Sequence, residues 1–125
     1  MGSLINVNYI SMSPDGAYLC MTRSTSPTAV ILQKNGDDSY TDLGIPQTDT
    51  FNFCDLSNNR AVFGGPTSVR VFKKQNDGTF LHFQTITAAS STTSLKISYF
   101  GNWLMVGNNN MQLLMYSEST SSGLY

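Results

Sequence analysis

The sequence is short of charge. Only 12% of its 125 residues are Asp, Glu, Lys or Arg, and the formal net charge is -1. That is about half the usual charged share. Without a basic excess there is no electrostatic reason to expect nucleic acid or an anionic membrane as a partner. Long apolar runs are missing too, and no stretch approaches the roughly 18 to 20 residues of a membrane-spanning helix. The chain does not open with basic residues followed by an apolar run, so no secretory leader is expected. Position 6 is Asn6 rather than Ser or Thr, so Gly2 lies outside a myristoylation pattern. Two cysteines, Cys20 and Cys54, are too few for a disulfide framework, and there is no Asn-x-Ser/Thr sequon. These absences point to a reducing compartment, and a cytoplasmic location is the expectation.

Catalytic patterns are scarce as well. The single histidine, His82, has no acid or nucleophile beside it in sequence and reads as a solvent-facing strand residue. No Gly-x-Ser-x-Gly elbow occurs, and Gly64-Gly65 has no following helix with which to bind phosphate. Cys20 and Cys54 lack a nearby third Cys or His for zinc and read as two buried thiols. Asp37-Asp38 and Asp77-Gly78 are too sparse for a calcium cage and read as turn residues. No metal and no cofactor is expected.

What the chain does have is a 40% hydrophobic and 11% aromatic content, enough for one domain with a core, and an internal repeat. Val7 and Tyr9 have counterparts in Phe51 and Phe53, then in Leu95 and Ile97, at steps of about 44 residues. Apolar residues two apart are the period of a strand with one buried face. A turn follows each pair, built on Ser13-Pro14-Asp15-Gly16, Ser57-Asn58-Asn59-Arg60 and Phe100-Gly101-Asn102. Second strands begin at Ala17, Ala61 and Trp103, and third strands at Ala29, Ser68 and Gln112. Hairpin signals Asn35-Gly36-Asp37-Asp38 and Asn76-Asp77-Gly78 lead to fourth strands around Tyr40 to Ile45 and Phe80 to Ile86. In the third copy the chain ends where its fourth strand is due.

Four short strands per unit at this period match a β-propeller blade, while a β-sandwich requires no fixed period. The expected fold is therefore all-β: three consecutive four-stranded antiparallel β-propeller blades, the last one incomplete, in a larger or oligomeric propeller. Blade 1 covers about 5–47, blade 2 about 49–90 and partial blade 3 about 93–125 of a single segment, 1–125. Met12-Ser13-Pro14-Asp15-Gly16-Ala17-Tyr18-Leu19 resembles the turn between the first two strands of WD40 blades. Val69-Arg70-Val71-Phe72 with Asn76-Asp77-Gly78-Thr79-Phe80 resembles the outer hairpin of FG-GAP-like blades. The Gly-His and Trp-Asp pairs of the first family are absent, and so is the calcium loop of the second. What the resemblance implies is the propeller fold and a role in binding.

Propellers close with four to eight blades, so three leave two apolar faces open. The expected remedy is a protein partner or a homo-oligomer: a second copy closing a six-blade ring, an open array, or another subunit. A longer parent chain is equally open. Three functions compete. The first is a non-enzymatic scaffolding module that assembles through blade faces and edges. The second is a lectin-like binder of glycan through a polar rim formed by Arg23, Ser24, Thr25, Thr67, Ser68, Asn108, Asn109 and Asn110, with Thr48-Asp49 and Ser90 to Thr93 joining it. The third is an enzyme whose site lies partly on other blades. Trp103, at the start of a strand, is either a core residue or an exposed anchor for a partner. The scaffold is the reading favoured by sequence.

Overall fold

Three serines set the rhythm of the chain. In the computed structural model, which describes residues 6–45, 49–88 and 90–125, each serine closes the turn between the first and second strand of a sheet. The Ser13 N–H donates to the Tyr18 carbonyl at 2.9 Å, and the Tyr18 N–H donates to Ser13 Oγ at 3.0 Å. Ser57 and Arg60 make the same pair of bonds at 2.9 and 3.0 Å, and so do Ser98 and Trp103. A serine hydroxyl that satisfies the first amide of the next strand holds the turn without help from the core.

The sheets are antiparallel throughout and all-β. The first runs β1 (Val7–Met12), β2 (Tyr18–Arg23), β3 (Ala29–Lys34) and β4 (Tyr40–Asp42), side by side in chain order. The second runs β5 (Phe53–Leu56), β6 (Arg60–Gly64), β7 (Ser68–Lys74) and β8 (Phe80–Thr87) in the same order. The third has three strands among the described residues: β9 (Thr92–Ile97), β10 (Trp103–Asn108) and β11 (Leu113–Ser117). Hairpin turns after β3 and β7 repeat each other, with Asn35 N–H bonded to Ser39 O and Gln75 N–H to Thr79 O, both at 2.8 Å. The same bond closes the segment after β11, from Ser119 N–H to Leu124 O at 2.7 Å.

The register corrects the repeat length. Ser13 to Ser57 spans 44 residues, but Ser57 to Ser98 spans 41. Leu95 and Ile97 therefore correspond to Cys54 and Leu56 by strand pairing, not to Phe51 and Phe53. Phe51 precedes β5 and is fully buried. The fourth strand of the first sheet also stops at Asp42, short of Ile45. The Asp42 carboxylate accepts the Gly44 N–H at 2.8 Å, and Gly44 has φ 61°, so the chain turns away there. Met1 to Leu4 and Thr48 lie outside the described residues.

The sheets stack in chain order. Between the first and second lie Tyr18, Cys20 and Ile31 against Cys54, Leu56, Phe63, Phe72 and Phe80. Tyr18 meets Phe80 edge-on at 5.2 Å, and Phe63 meets Phe72 at 5.8 Å. The two cysteine thiols are unpaired, buried and adjacent, and burial with the neighbouring Cys54 thiol pushes Cys20 well above the usual thiol range. Between the second and third sheets lie Val62, Val69 and Val71 against Leu95, Leu104 and Val106. Arg60, which reads as a turn residue in the sequence, is instead 2% exposed at this interface. Its guanidinium lies 5.1 Å from the Phe83 ring and 5.3 Å from that of Tyr125, and it pairs with Glu118. A bulge between Val71 and Phe72 in the β7–β8 pairing skips Phe83, which packs with this second cluster.

Candidate functional site

The first strands of the three sheets converge. β5 lies against β1 on one side and β9 on the other. Two residues before each turn serine stand Ser11, Asp55 and Lys96, one from each first strand. They meet on the Asp55 carboxylate. Ser11 Oγ donates to Asp55 Oδ1 at 2.5 Å, the Ile97 N–H donates to Oδ2 at 2.9 Å, and Lys96 Nζ stands 3.6 Å from Oδ1. The Asp55 side chain is 7% exposed and that of Lys96 60%.

Burying a carboxylate requires compensation, and this one has two hydrogen-bond donors and a nearby ammonium at ion-pair distance. The arrangement fixes a hydroxyl, a carboxylate and a solvent-facing ammonium within one cluster. Acceptor capacity on the carboxylate is left for a further donor such as water. Chemically that is a proton acceptor beside a positive charge that can stabilise a developing oxyanion. Among the described residues no group of three or more His, Cys, Asp or Glu side chains is arranged to hold a metal ion.

The residues singled out from sequence lie elsewhere. Arg23, Ser24 and Thr25 lie at the turn from β2 to β3, Thr67 and Ser68 at the turn from β6 to β7, and Asn108 to Asn110 at the turn from β10 to β11. Arg23 Nε bonds the Pro27 carbonyl at 3.0 Å and Ser24 Oγ bonds Asn8 Oδ1 at 2.9 Å. Asn108 is buried, and its Oδ1 accepts the N–H groups of Asn110 and Gln112 at 3.0 and 3.2 Å. It organises its own turn. No side-chain hydrogen bond among the described residues joins one of these three turns to another. Trp103 is 48% exposed rather than in the core. His82 is exposed, with Nε2 2.9 Å from Thr85 Oγ1. The cluster on Asp55 was not anticipated, because its three members differ in kind. Aligning the turn serines is what brings them to one position.

No family model and no curated protein matches the sequence. Solved structures do. A Bacteroides fragilis protein provisionally named a 6-phosphogluconolactonase is 15% identical with a TM-score of 0.74, over 94% of this chain and 36% of that one. The periplasmic gluconolactonase of Pseudomonas aeruginosa is 16% identical with a TM-score of 0.69, over 94% and 37%. A gluconolactonase of Xanthomonas campestris is 13% identical with a TM-score of 0.66, over 94% and 39%. The chain thus spans under two-fifths of the length of these structures. At such identities the likeness shows the fold, which in these proteins is of the β-propeller type. Neither WD40 nor FG-GAP repeats are specifically matched. The non-enzymatic scaffold, and the glycan-binding alternative to it, are corrected by these comparisons: the named structures sharing this fold are lactonases, so the fold gives no ground for a non-enzymatic reading. Residues far apart in sequence can meet across the sheets, so the absence of a local catalytic motif along the chain does not bear on activity. No helix among the described residues is long and apolar enough to cross a membrane.

Proposed function

We propose that the chain forms three consecutive blades, about 5–47, 49–90 and 93–125, of a β-propeller hydrolase acting on a sugar lactone. The observation that carries this reading is the Asp55 cluster at the converging first strands, where a propeller has its axis. In the proposed reaction water attacks the lactone carbonyl and gives its proton to Asp55. The Lys96 ammonium stabilises the oxyanion of the tetrahedral adduct. The ring C–O bond then breaks, and the proton passes from Asp55 to the departing alkoxide, leaving a hydroxy acid. Ser11 and the Ile97 N–H hold the carboxylate in place. The two free, buried thiols support a reducing, cytoplasmic compartment.

The test is hydrolysis of glucono-δ-lactone followed with a pH indicator against the spontaneous rate. The protein is expected to exceed that rate, and Asp55→Asn to lose on the order of a hundredfold, as for removal of a general base. Lys96→Met should lower the rate while leaving the fold intact, since Lys96 is mostly exposed. A folded wild-type protein no faster than buffer would refute the reading.

A further inference from the structure

We propose that the open face of the third sheet receives the outer hairpin of the first sheet from a second copy of this chain, head to tail. Internal packing supplies the template. Tyr18, Arg60 and Trp103 occupy one position of the repeat, each bonded to its turn serine in the same way. Lys34, Lys74 and Glu118 occupy another, each donating its N–H to the residue just before that position, at Ala17, Asn59 and Asn102. Tyr40, Phe80 and Tyr125 follow the hairpin turns as a third equivalent set.

Each sheet covers this corner of the sheet before it in one pattern. On the first sheet, Phe80 packs edge-on against Tyr18 and Lys74 Nζ sits 5.1 Å over the Tyr18 ring. On the second, Tyr125 stacks on Arg60 and Glu118 pairs with it. The charge of the hairpin residue thus follows what it covers: a lysine over an aromatic ring, a carboxylate over a cation. On the third sheet the covered residue is an aromatic, Trp103, and among the described residues nothing covers it. The matching hairpin would carry a lysine and an aromatic ring. The first sheet carries that pair, Lys34 and Tyr40, on its outer corner, which no other sheet covers among the described residues. Among the described residues Lys34 has its neighbour Asp38, at 2.7 Å, as its one ion-pair partner.

The rest of the third face agrees. Met105, Leu113 and Met115 are 40%, 65% and 61% exposed. Their register equivalents are Cys20, Ala29 and Ile31 in the first sheet and Val62, Val69 and Val71 in the second. All six are buried against the following sheet. On the copy that donates the hairpin, Met21, Val30 and Leu32 are buried already, so the contact asked of it lies at the outer corner, through Lys34 and Tyr40. A cation over an indole is the strongest such pair. Two chains joined at both corners would bring six sheets together, within the range in which propellers close. The inference does not depend on the lactonase reading.

Trp103 is the sole tryptophan, so its emission reports the contact directly. The experiment is sedimentation velocity across a wide micromolar range, paired with tryptophan emission, on the wild type, Lys34→Glu, Trp103→Arg and the double variant. Trp103→Arg with Lys34→Glu rebuilds the Arg60–Glu118 pair at the new site. The wild type is expected to associate, with emission moving to the blue as concentration rises. Each single variant should weaken association about tenfold or more, equivalent to roughly 1.4 kcal/mol. The double variant should regain association relative to Trp103→Arg. A species of two chains indicates closure, and continued growth an open array. Lys34 and Trp103 are 42% and 48% exposed, so folding of each variant is checked by circular dichroism, with Trp103→Gln as the milder change. Three results overturn the proposal: a monomer with red emission at every concentration, association indifferent to both single changes, or a double variant no better than Trp103→Arg.

Discussion

β6 and β10 are the same strand of two successive sheets, started by the same serine turn and paired in the same way, yet their surroundings differ. Every residue of β6, from Arg60 to Gly64, is buried. In the first four residues of β10, exposed Trp103 and Met105 alternate with buried Leu104 and Val106. Among the described residues the second sheet has a sheet on each side and the third has one. A strand reads as alternating when one face is covered and as a continuous apolar run when both are. Ala61-Val62-Phe63 is such a run; in Trp103-Leu104-Met105-Val106 the side chains are as apolar, but the burial alternates. The difference teaches that β10 has the composition of a strand meant to be covered on both faces.

The largest effect that breaks the symmetry is in the core. Phe63→Ala should cost about 3 to 5 kcal/mol in urea unfolding, the range for deleting a fully buried ring. Met105→Ala, on the open face, should stay within about 0.5 kcal/mol at low concentration. An equal loss for both would mean that the third face is not open. A cost for Met105→Ala that grows with protein concentration would instead fit a face covered by association.

The next effect tests what ties the first strands together. Asp55→Ala removes a carboxylate that accepts two hydrogen bonds and pairs with Lys96, and hydrogen bonds to charged groups are worth about 1.5 to 3 kcal/mol each. Ser11→Ala removes one of these bonds and should cost about 1.5 to 3 kcal/mol, at the lower end where water can reach the carboxylate. The double change should cost less than the sum, because both act on one network. A third comparison sets Gly65 against Gly107. A Cβ at Gly65 would stand 2.2 Å from the Thr50 carbonyl oxygen, a backbone atom that cannot move alone, so Gly65→Ala should cost about 1 to 3 kcal/mol. At Gly107 the nearest atom is Ser94 Oγ at 2.3 Å, which can rotate away, and Gly107→Ala should be milder.

Much of the fold was legible because its signals are local. The Ser13-Pro14-Asp15-Gly16 turn and the Asn76-Asp77-Gly78 hairpin are set by residues within a few positions of each other. The all-β class follows from apolar residues two apart and from the absence of a helical period. Register was less legible, since the apolar pair at Leu95 and Ile97 matches the earlier pairs by type while standing three residues out of step. Burial of Arg60 was not legible, because an arginine after two asparagines reads as a loop residue until Phe83 and Tyr125 close over it. The Asp55 cluster was hidden for a related reason. Ser11, Asp55 and Lys96 share neither charge nor shape, and only contact across sheets makes them one site.

The smallest expected effect concerns Tyr125, the ring that covers Arg60. Its hydroxyl donates to the Gly101 carbonyl, and its N–H and C=O bond the Gln84 side chain at 3.0 and 2.9 Å. Burial, helped by the Glu118 carboxylate and opposed by Arg60, pushes its hydroxyl from 10.0 up to about 12. A raised value means that the folded state favours the protonated form. The contribution is therefore complete below pH 10 and is lost as pH rises from there through about 12. Absorbance at the phenolate band should show a tyrosine that ionises late and disappears in Tyr125→Phe. That variant loses one hydrogen bond, about 1 kcal/mol, and should retain the packing on Arg60. The decisive comparison is amide exchange of the 118–125 segment. In the wild type its protection should fall between pH 10 and 12 once intrinsic rates are divided out, and in Tyr125→Phe the fall tied to this hydroxyl should be absent. A wild-type segment equally protected across that range would mean that Tyr125 does not hold the third sheet to the second.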